Sequence, residues 1–463
     1  MKKIAFFTPL HPLKSGIADY AEEMLPYIKN RFQVDLFIDS DYEASEEVTK
    51  KNHDIYIFED FVKLRESYDV VIYQMGNNNY HEKIYEYLVR YPGIVVLHDY
   101  AIHHLIAHIF YNNYKSDVKY FDEVLFNHGE EAKNIAYKRA CNGEMGLWET
   151  DAVNYPMNKR ILSKSISLIT FSEFSKQNLE SYNLGVPIKR IYLHCGGEPK
   201  LVTENEKNMV RKKYGIEIDS DEYLFCVFGF VTPSKRPYSI IEAFSRVIDS
   251  GKKAKLIFVG EVHDACKDLK TMVDKKKLTK RVKFTGFTDI DTFKDYLIAS
   301  DFCISLRYPT MGETSGVLMR ALSMGKPSIV TNIGTFKEFS DEMVIKISYK
   351  STEIDELEKA ITKLISDKNL VENMKKLSYE YAQKYLSIED TANDFCDFVE
   401  DTIKYKNVLD NEYYRYFKTS ILNFTANYDV PGNVLENIFD CNYETFEKIF
   451  DERENYENTC FGK

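Results

Sequence analysis

Short apolar runs alternate with longer amphipathic stretches along almost the whole of this 463-residue chain. Runs at 4–7, 34–38, 55–58, 70–73, 94–97, 168–171 and 191–193 predict a first series of strands. A second series is predicted at 223–228, 256–259, 282–284, 302–306, 328–330 and 344–347. These runs are apolar at nearly every position. A strand of that kind is buried on both faces, and such strands separated by helices build parallel sheets. Two series therefore predict an α/β chain of two doubly wound, Rossmann-like domains facing a cleft. The join is placed in the polar run at 196–208, after a Gly-Gly-Glu-Pro turn. Helical periodicity follows at 354–365, 370–385 and 388–405. The expected division is 1–200, 201–385, a closing helix at 386–405, and a helical appendage at 406–463 rich in Tyr, Phe, Asn and acidic groups.

Length alone favours two domains over one. A hydrophobic fraction of 44% with 29% charged residues is ordinary for a soluble globular protein. The net charge of -11 argues against a nucleic-acid binder, which needs a basic face for phosphates. Lys275, Lys276, Lys277, Lys280, Arg281 and Lys283 do cluster, and they read as a solvated face and turn. The eight cysteines are scattered without a C-x-x-C pair, and Cys226 and Cys303 sit inside apolar runs as small hydrophobes. A reducing, cytoplasmic setting is expected. The N-terminus reads as a first strand and not as a signal peptide. No apolar run is long enough to span a bilayer, so the protein is expected to be soluble or peripheral. Lys159, Arg160 and Lys164 fit a membrane-facing helix and equally a solvated face.

Four segments carry candidate chemistry. The richest runs from Arg307 to Pro327. It follows an apolar strand and presents Glu313, then Thr314, Ser315 and Gly316, which can open a helix bearing Val317, Leu318, Ala321 and Leu322. Gly325 can end that helix in αL geometry, and Pro327 prevents its continuation. Free backbone N–H groups at a helix start made of small residues suit a diphosphate. A carboxylate beside them is repelled by phosphate but can hold hydroxyls, so the combination points to a nucleotide-sugar site. The second segment, Phe228 to Pro237, puts Lys235 and Arg236 at a strand end, where two cations can stabilise a diphosphate leaving group. The third, Thr8 to Tyr20, is a strand-to-helix turn around Gly16, whose missing side chain lets a ligand approach the backbone. The fourth places His98 at the end of the strand 94–97, with Asp99 after it as its orienter or as the start of the next helix.

Three further patterns carry less weight. His104 and His108 have helical spacing for zinc but no adjacent Glu and no third ligand, so no metal is expected. Asp289-Ile-Asp291 reads as a helix cap. The amides of Gln74-Met-Gly-Asn-Asn78 end a strand and can face an acceptor or sugar.

The segment 307–327 resembles the nucleotide-sugar signature of the family 4 (group 1) glycosyltransferases: Glu, seven residues, Glu, then Ala, a small residue and Gly-x-Pro. Aligned on Ala321, Gly325 and Pro327, the first family Glu falls on Gly312, with Glu313 one place later. The second, which usually binds the donor ribose, falls on Arg320, a change that suggests a pyrophosphate contact instead. Lys235 falls on the family lysine of the Gly-Arg-Leu-x-x-x-Lys-Gly loop. Phe230 replaces its Arg, and Arg236 replaces its last Gly and is expected to take over the missing guanidinium. The Ser-Gly-Ile-Ala-Asp-Tyr turn resembles one branch of the family, in which the glycine (here Gly16) faces the donor phosphates. His98 resembles the family histidine near the transferred sugar.

The resemblance runs from residue 1 to about 405 and implies a GT-B fold. It makes the N-terminal domain the acceptor side and returns the closing helix to it. It further implies transfer of a sugar from a UDP- or GDP-sugar, with retention of configuration and without metal or other cofactor. The acceptor would be a glycan, a lipid-linked saccharide or a protein. His98, Glu313 and Lys235 would serve catalysis; Gly16, Lys235, Arg236, Thr314, Ser315, Gly316 and Arg320 would bind the donor. Two rivals share the fold: a non-catalytic partner subunit of a glycosylation system, and a nucleotide-sugar epimerase.

Overall fold

The computed structural model describes residues 1–406 apart from 52, 53, 114, 115, 218, 220 and 221. Met1–Glu400 forms one compact unit. Of a second, Asp401–Lys463, only 401–406 are described, and they are helical. The appendage expected from 406 onward therefore lies outside the described residues beyond its first position.

The first unit holds two wholly parallel sheets. The first contains β1 (Lys2–Phe7), β2 (Phe32–Ile38), β3 (Ile55–Ile57), β4 (Val70–Met75), β5 (Gly93–Leu97), β6 (Ser165–Thr170) and β7 (Ile188–Arg190), in the order β3-β2-β1-β4-β5-β6-β7. The second contains β8 (Tyr223–Phe228), β9 (Ala254–Val259), β10 (Val282–Phe284), β11 (Phe302–Ser305), β12 (Ser328–Thr331) and β13 (Val344–Ile347), in the order β10-β9-β8-β11-β12-β13. Twelve of the thirteen predicted runs fall on these strands. The exception is 191–193, expected as a strand: the pairing with β6 is made by Ile188–Arg190 just before it. Ile191 and Leu193 are buried in an extended passage towards the second sheet.

Burial on both faces explains why the strands lack alternation. Ile4, Ala5, Phe6 and Phe7 of β1 are all inaccessible to solvent. Phe7 stacks on Phe37 and Phe58 at ring separations of 4.9 and 5.1 Å, so much of the chain's aromatic content fills one core layer. In the second sheet Phe225 and Val227 face one cluster while Leu224 and Cys226 face another. Cys226 and Cys303, fully buried, behave as the small apolar side chains expected.

Helices Glu353–Ser366 and Lys368–Tyr385 follow the second sheet, and another helix begins at residue 388. Arg31, beyond the first helix, Gly16–Ile28, pairs with Asp397 and Glu400 at 2.7 Å each. Among the described residues no helix is long and apolar enough to cross a membrane. Arg160 is tied to the buried Glu123 at 2.6 Å and lies over the Phe126 ring. That guanidinium is part of the fold.

Candidate active site

Strand order fixes where a ligand can enter. In the first sheet the direction of winding reverses between β1 and β4; in the second it reverses between β8 and β11. A crevice opens outside the carboxyl ends of the strands at such a switch point. Gly16 follows β1; Lys235 and Arg236 follow β8; Glu313, Thr314, Ser315, Gly316 and Arg320 follow β11. His98 leaves β5, the neighbour of β4.

Lys235 bends back so that its ammonium donates to the Phe228 carbonyl at the end of β8. Gly229 makes this bend feasible: its φ is +79°, and a Cβ there would lie 2.5 Å from Lys235 Nζ. Burial, reinforced by the Arg307 charge, pulls the Lys235 pKa down to about 7. Arg307, just past β11, approaches Glu313 with Nε 2.5 Å from Oε1. The other Glu313 oxygen accepts from Thr310 Oγ1 at 2.9 Å and from the Met311 amide at 2.7 Å. A carboxylate has about four lone-pair sites, so capacity remains for a sugar hydroxyl. The displacement of the acid from 312 to 313 has a steric cause. Gly312 has φ +72°, and a Cβ there would come within 2.6 Å of Tyr100 Cβ and 2.9 Å of the Phe174 ring. Ser315 caps the helix Gly316–Ser323, accepting from the Leu318 amide at 3.2 Å. A Cβ on Gly316 would meet nothing nearer than Leu193 at 3.9 Å, so this helix start is open.

On the facing side His98 is half-buried against Tyr20 and Phe171. Burial, aided by the nearby His81 and His194, drives its pKa well below the usual value and keeps the ring neutral. His98 Nε2 donates to Gln74 Oε1 at 2.5 Å, which leaves Nδ1 as an acceptor. Gln74, expected to face a ligand, is instead fully buried behind the histidine. Asp99, a candidate orienter of His98, accepts the Asn77 amide at 2.8 Å. Burial and then the Glu313 charge raise its pKa to about 7, while Arg307 opposes the rise. Asp99, Arg307, Glu313 and Lys235 thus form one interacting set of charges across the crevice. Two hydrogen bonds to backbone carbonyls hold its halves together: Ala101 N donates to Met311 O at 2.8 Å, and Ser175 Oγ to Gly312 O at 3.3 Å. Gly16 is exposed, and a side chain there would meet nothing within 4 Å.

Two donor-site expectations meet a different geometry. Arg236, expected on the diphosphate, makes a bidentate pair with the buried Glu353, at 2.9 Å through Nε and 2.7 Å through Nη2. Arg320, expected on the pyrophosphate, gives Nη2 to Glu23 at 2.7 Å and Nη1 to the Cys195 carbonyl at 3.0 Å. Both guanidiniums are consumed by carboxylates distant in sequence. Asp289 caps the helix Ile290–Ala299, as its position suggested. His104 contacts Asn77 at 3.3 Å. Arg307 is not among the site residues expected from the sequence. The only signal for Arg307 was its place one residue past the apolar run that became β11.

Residues 209–381 match the family model described as glycosyl transferases group 1. The match holds Lys235, Arg307, Glu313 and the Gly316 helix start, and excludes Gly16 and His98. Among solved structures, Anabaena Alr3699/HepE in complex with UDP-glucose is similar at 17% identity and a TM-score of 0.59, covering 87% of this chain and 100% of that one. Sucrose-phosphate synthase from Thermosynechococcus elongatus is similar at 14% identity and a TM-score of 0.56, covering 87% and 99%. WaaG, a glycosyltransferase involved in lipopolysaccharide biosynthesis, gives 14% and 0.56, covering 86% and 99%. No curated protein matches the chain in sequence. At these identities the likeness concerns the fold, and the fold is GT-B.

Proposed function

We propose that this protein transfers a sugar from a nucleotide-sugar, a UDP- or GDP-sugar, to a saccharide, lipid-linked or protein acceptor with retention of configuration. The observation that carries the reading is the convergence at the switch points of a half-buried lysine, a hydroxyl-accepting carboxylate and an open helix start. HepE, with the same fold, has been captured with UDP and with UDP-glucose, which supports a nucleotide-sugar as donor.

The chemistry follows from the charges. As the anomeric C–O bond breaks, negative charge grows on the departing diphosphate. Lys235 and the backbone amides of Thr314, Ser315 and Gly316 are arranged to take it. Gly16 allows the diphosphate to lie against the opposite helix start. Glu313 holds donor hydroxyls. His98, neutral, accepts a hydroxyl through Nδ1 and orients the sugar without adding charge. The acceptor hydroxyl attacks on the face the diphosphate leaves, and its proton passes to the leaving oxygen.

Nucleotide release from UDP-, GDP-, ADP- and dTDP-sugars, with and without an acceptor extract and in the presence of a chelator, tests this. Release from one donor, raised by the extract, is the expected result. Neither release nor donor binding would turn the reading to a non-catalytic GT-B partner.

A further inference from the structure

A departing diphosphate carries more than one negative charge, and the single ammonium of Lys235 cannot neutralise it alone. The other basic groups near the crevice are committed. Arg236 neutralises Glu353, which is buried and also accepts from Ser239 Oγ at 2.6 Å. Arg320 neutralises Glu23. Phe230 carries no charge and is 43% exposed.

Arg307 differs from all of these. It stands at the carboxyl end of β11, on the switch point itself. Its backbone is pinned by the Arg307 amide donating to Thr331 Oγ1 at 2.9 Å. The side chain is 24% exposed, so it is partly desolvated yet reachable. Its approach to Glu313 runs through Nε, and among the described residues no partner engages Nη1 or Nη2. A guanidinium stays charged at every relevant pH, and its planar fork matches two phosphate oxygens.

Resting on the glycosyl-transfer reading above, we propose that Arg307 is the catalytic guanidinium of this enzyme, released from Glu313 to the diphosphate when the donor sugar binds. In the free protein Glu313 is the counter-ion that stores it. When donor hydroxyls engage Glu313, Nη1 and Nη2 turn to the β-phosphate. The acceptor oxygen–anomeric carbon bond then forms as the anomeric carbon–phosphate oxygen bond breaks. The electron pair and the acceptor's proton go to the diphosphate, whose charge Arg307 and Lys235 share. The model ties sugar recognition to leaving-group activation through one ion pair.

The test compares the full chain with Arg307→Ala and Arg307→Lys, using the donor found in the release assay. Arg307→Ala is expected to lower kcat about 100-fold, the usual loss of a transition-state donor, with KM changed far less. Arg307→Lys recovers only part of the activity. Added guanidinium ion should restore Arg307→Ala at least about tenfold and leave wild type unchanged, a response that a merely structural role would not give. Circular dichroism establishes that the variants fold. Wild type active with Arg307→Ala within about twofold in kcat, or a large loss that guanidinium does not rescue, overturns the inference and leaves the glycosyltransferase reading standing. Wild type inactive on every donor overturns that reading, and the inference with it.

Discussion

At residue scale, the charge state of Lys235 is set first by burial and then by what faces it: burial and Arg307 oppose its protonation, while Cys303 and Glu313 favour it more weakly. Donor binding needs the charged form, so kcat/KM for the donor should fall as pH rises through about 7. Asp99, losing its proton over the same range beside Glu313, adds to the fall. Asp99→Asn should therefore make the decline shallower, which a pH–rate profile reads directly. Lys235→Ala should cost about 100-fold or more in kcat at pH 7. The sign for stability is fixed by linkage. The folded lysine binds fewer protons than the unfolded one between about 7 and 10.5, so its contribution to stability rises with pH across that window. Chemical denaturation of Lys235→Met at pH 7 and pH 9 should show a smaller pH dependence than wild type. Gln74 is a positioning residue: it selects the His98 tautomer. Gln74→Leu should lower kcat about tenfold with little change in donor KM, since the ring stays in place between Tyr20 and Phe171 but loses its fixed tautomer.

At the scale of elements, Gly229 after β8 and Gly312 after β11 shape the strand-end loops. Gly312→Ala must strain a backbone at φ +72° and push a Cβ into Tyr100 and Phe174. It should cost more than the ~1 kcal/mol of the conformational term alone and misplace Glu313, seen as a lowered unfolding midpoint together with lost activity. Gly312→Glu, which restores the acid to the family position, should be worse for the same reason. These loops show which features the sequence carried. Parallel strands were legible because burial on both faces writes an unbroken apolar run, and β8, β10 and β13 were bounded to the residue. The helix at Gly316 was legible from Ser315 before it and Gly325 after it, the latter at φ +64°. The partners of the arginines were not, because ion pairs obey no period. Glu353 lies 117 residues from Arg236, and Glu23 lies 297 from Arg320. Each looked like a free cation at a strand end or on a helix until the fold supplied its acid. Arg307 was overlooked for the converse reason: a single basic residue after a strand has no local signature, and only the strand order puts it at a switch point.

At the scale of the whole first unit, the halves of the crevice are joined by polar contacts. Glu338, beyond β12, accepts the Phe174 and Glu173 amides at 2.8 and 3.2 Å, capping the start of helix Glu173–Glu180 from the other domain. Lys14 in the glycine loop meets Glu261 at 3.1 Å and lies over Phe287, an exposed pair of little individual worth. The Arg320–Glu23 pair is better placed to matter. Its side chains are only 11% and 18% exposed, and Arg320 also holds the carbonyl of Cys195 in the passage between the sheets. Gly196 sits there at φ +78°, and a Cβ would lie 1.6 Å from Arg320 Nη1, so a side chain would strain the backbone and displace the guanidinium. Removing one partner of such a pair leaves the other desolvated, so Arg320→Gln and Glu23→Gln should each lower the unfolding midpoint. They should also raise donor KM, because the loops that meet in the crevice depend on the approach of the two sheets. Replacing both removes the charges together. The double variant should be no worse than the poorer single one, with an interaction of roughly 0.5–3 kcal/mol in a double-mutant cycle. Small-angle scattering should show the single variants expanded relative to wild type. Additive losses, with scattering unchanged, would mean that the pair does not hold the crevice closed. The ribose position of the family signature would then have been given up here without a structural return.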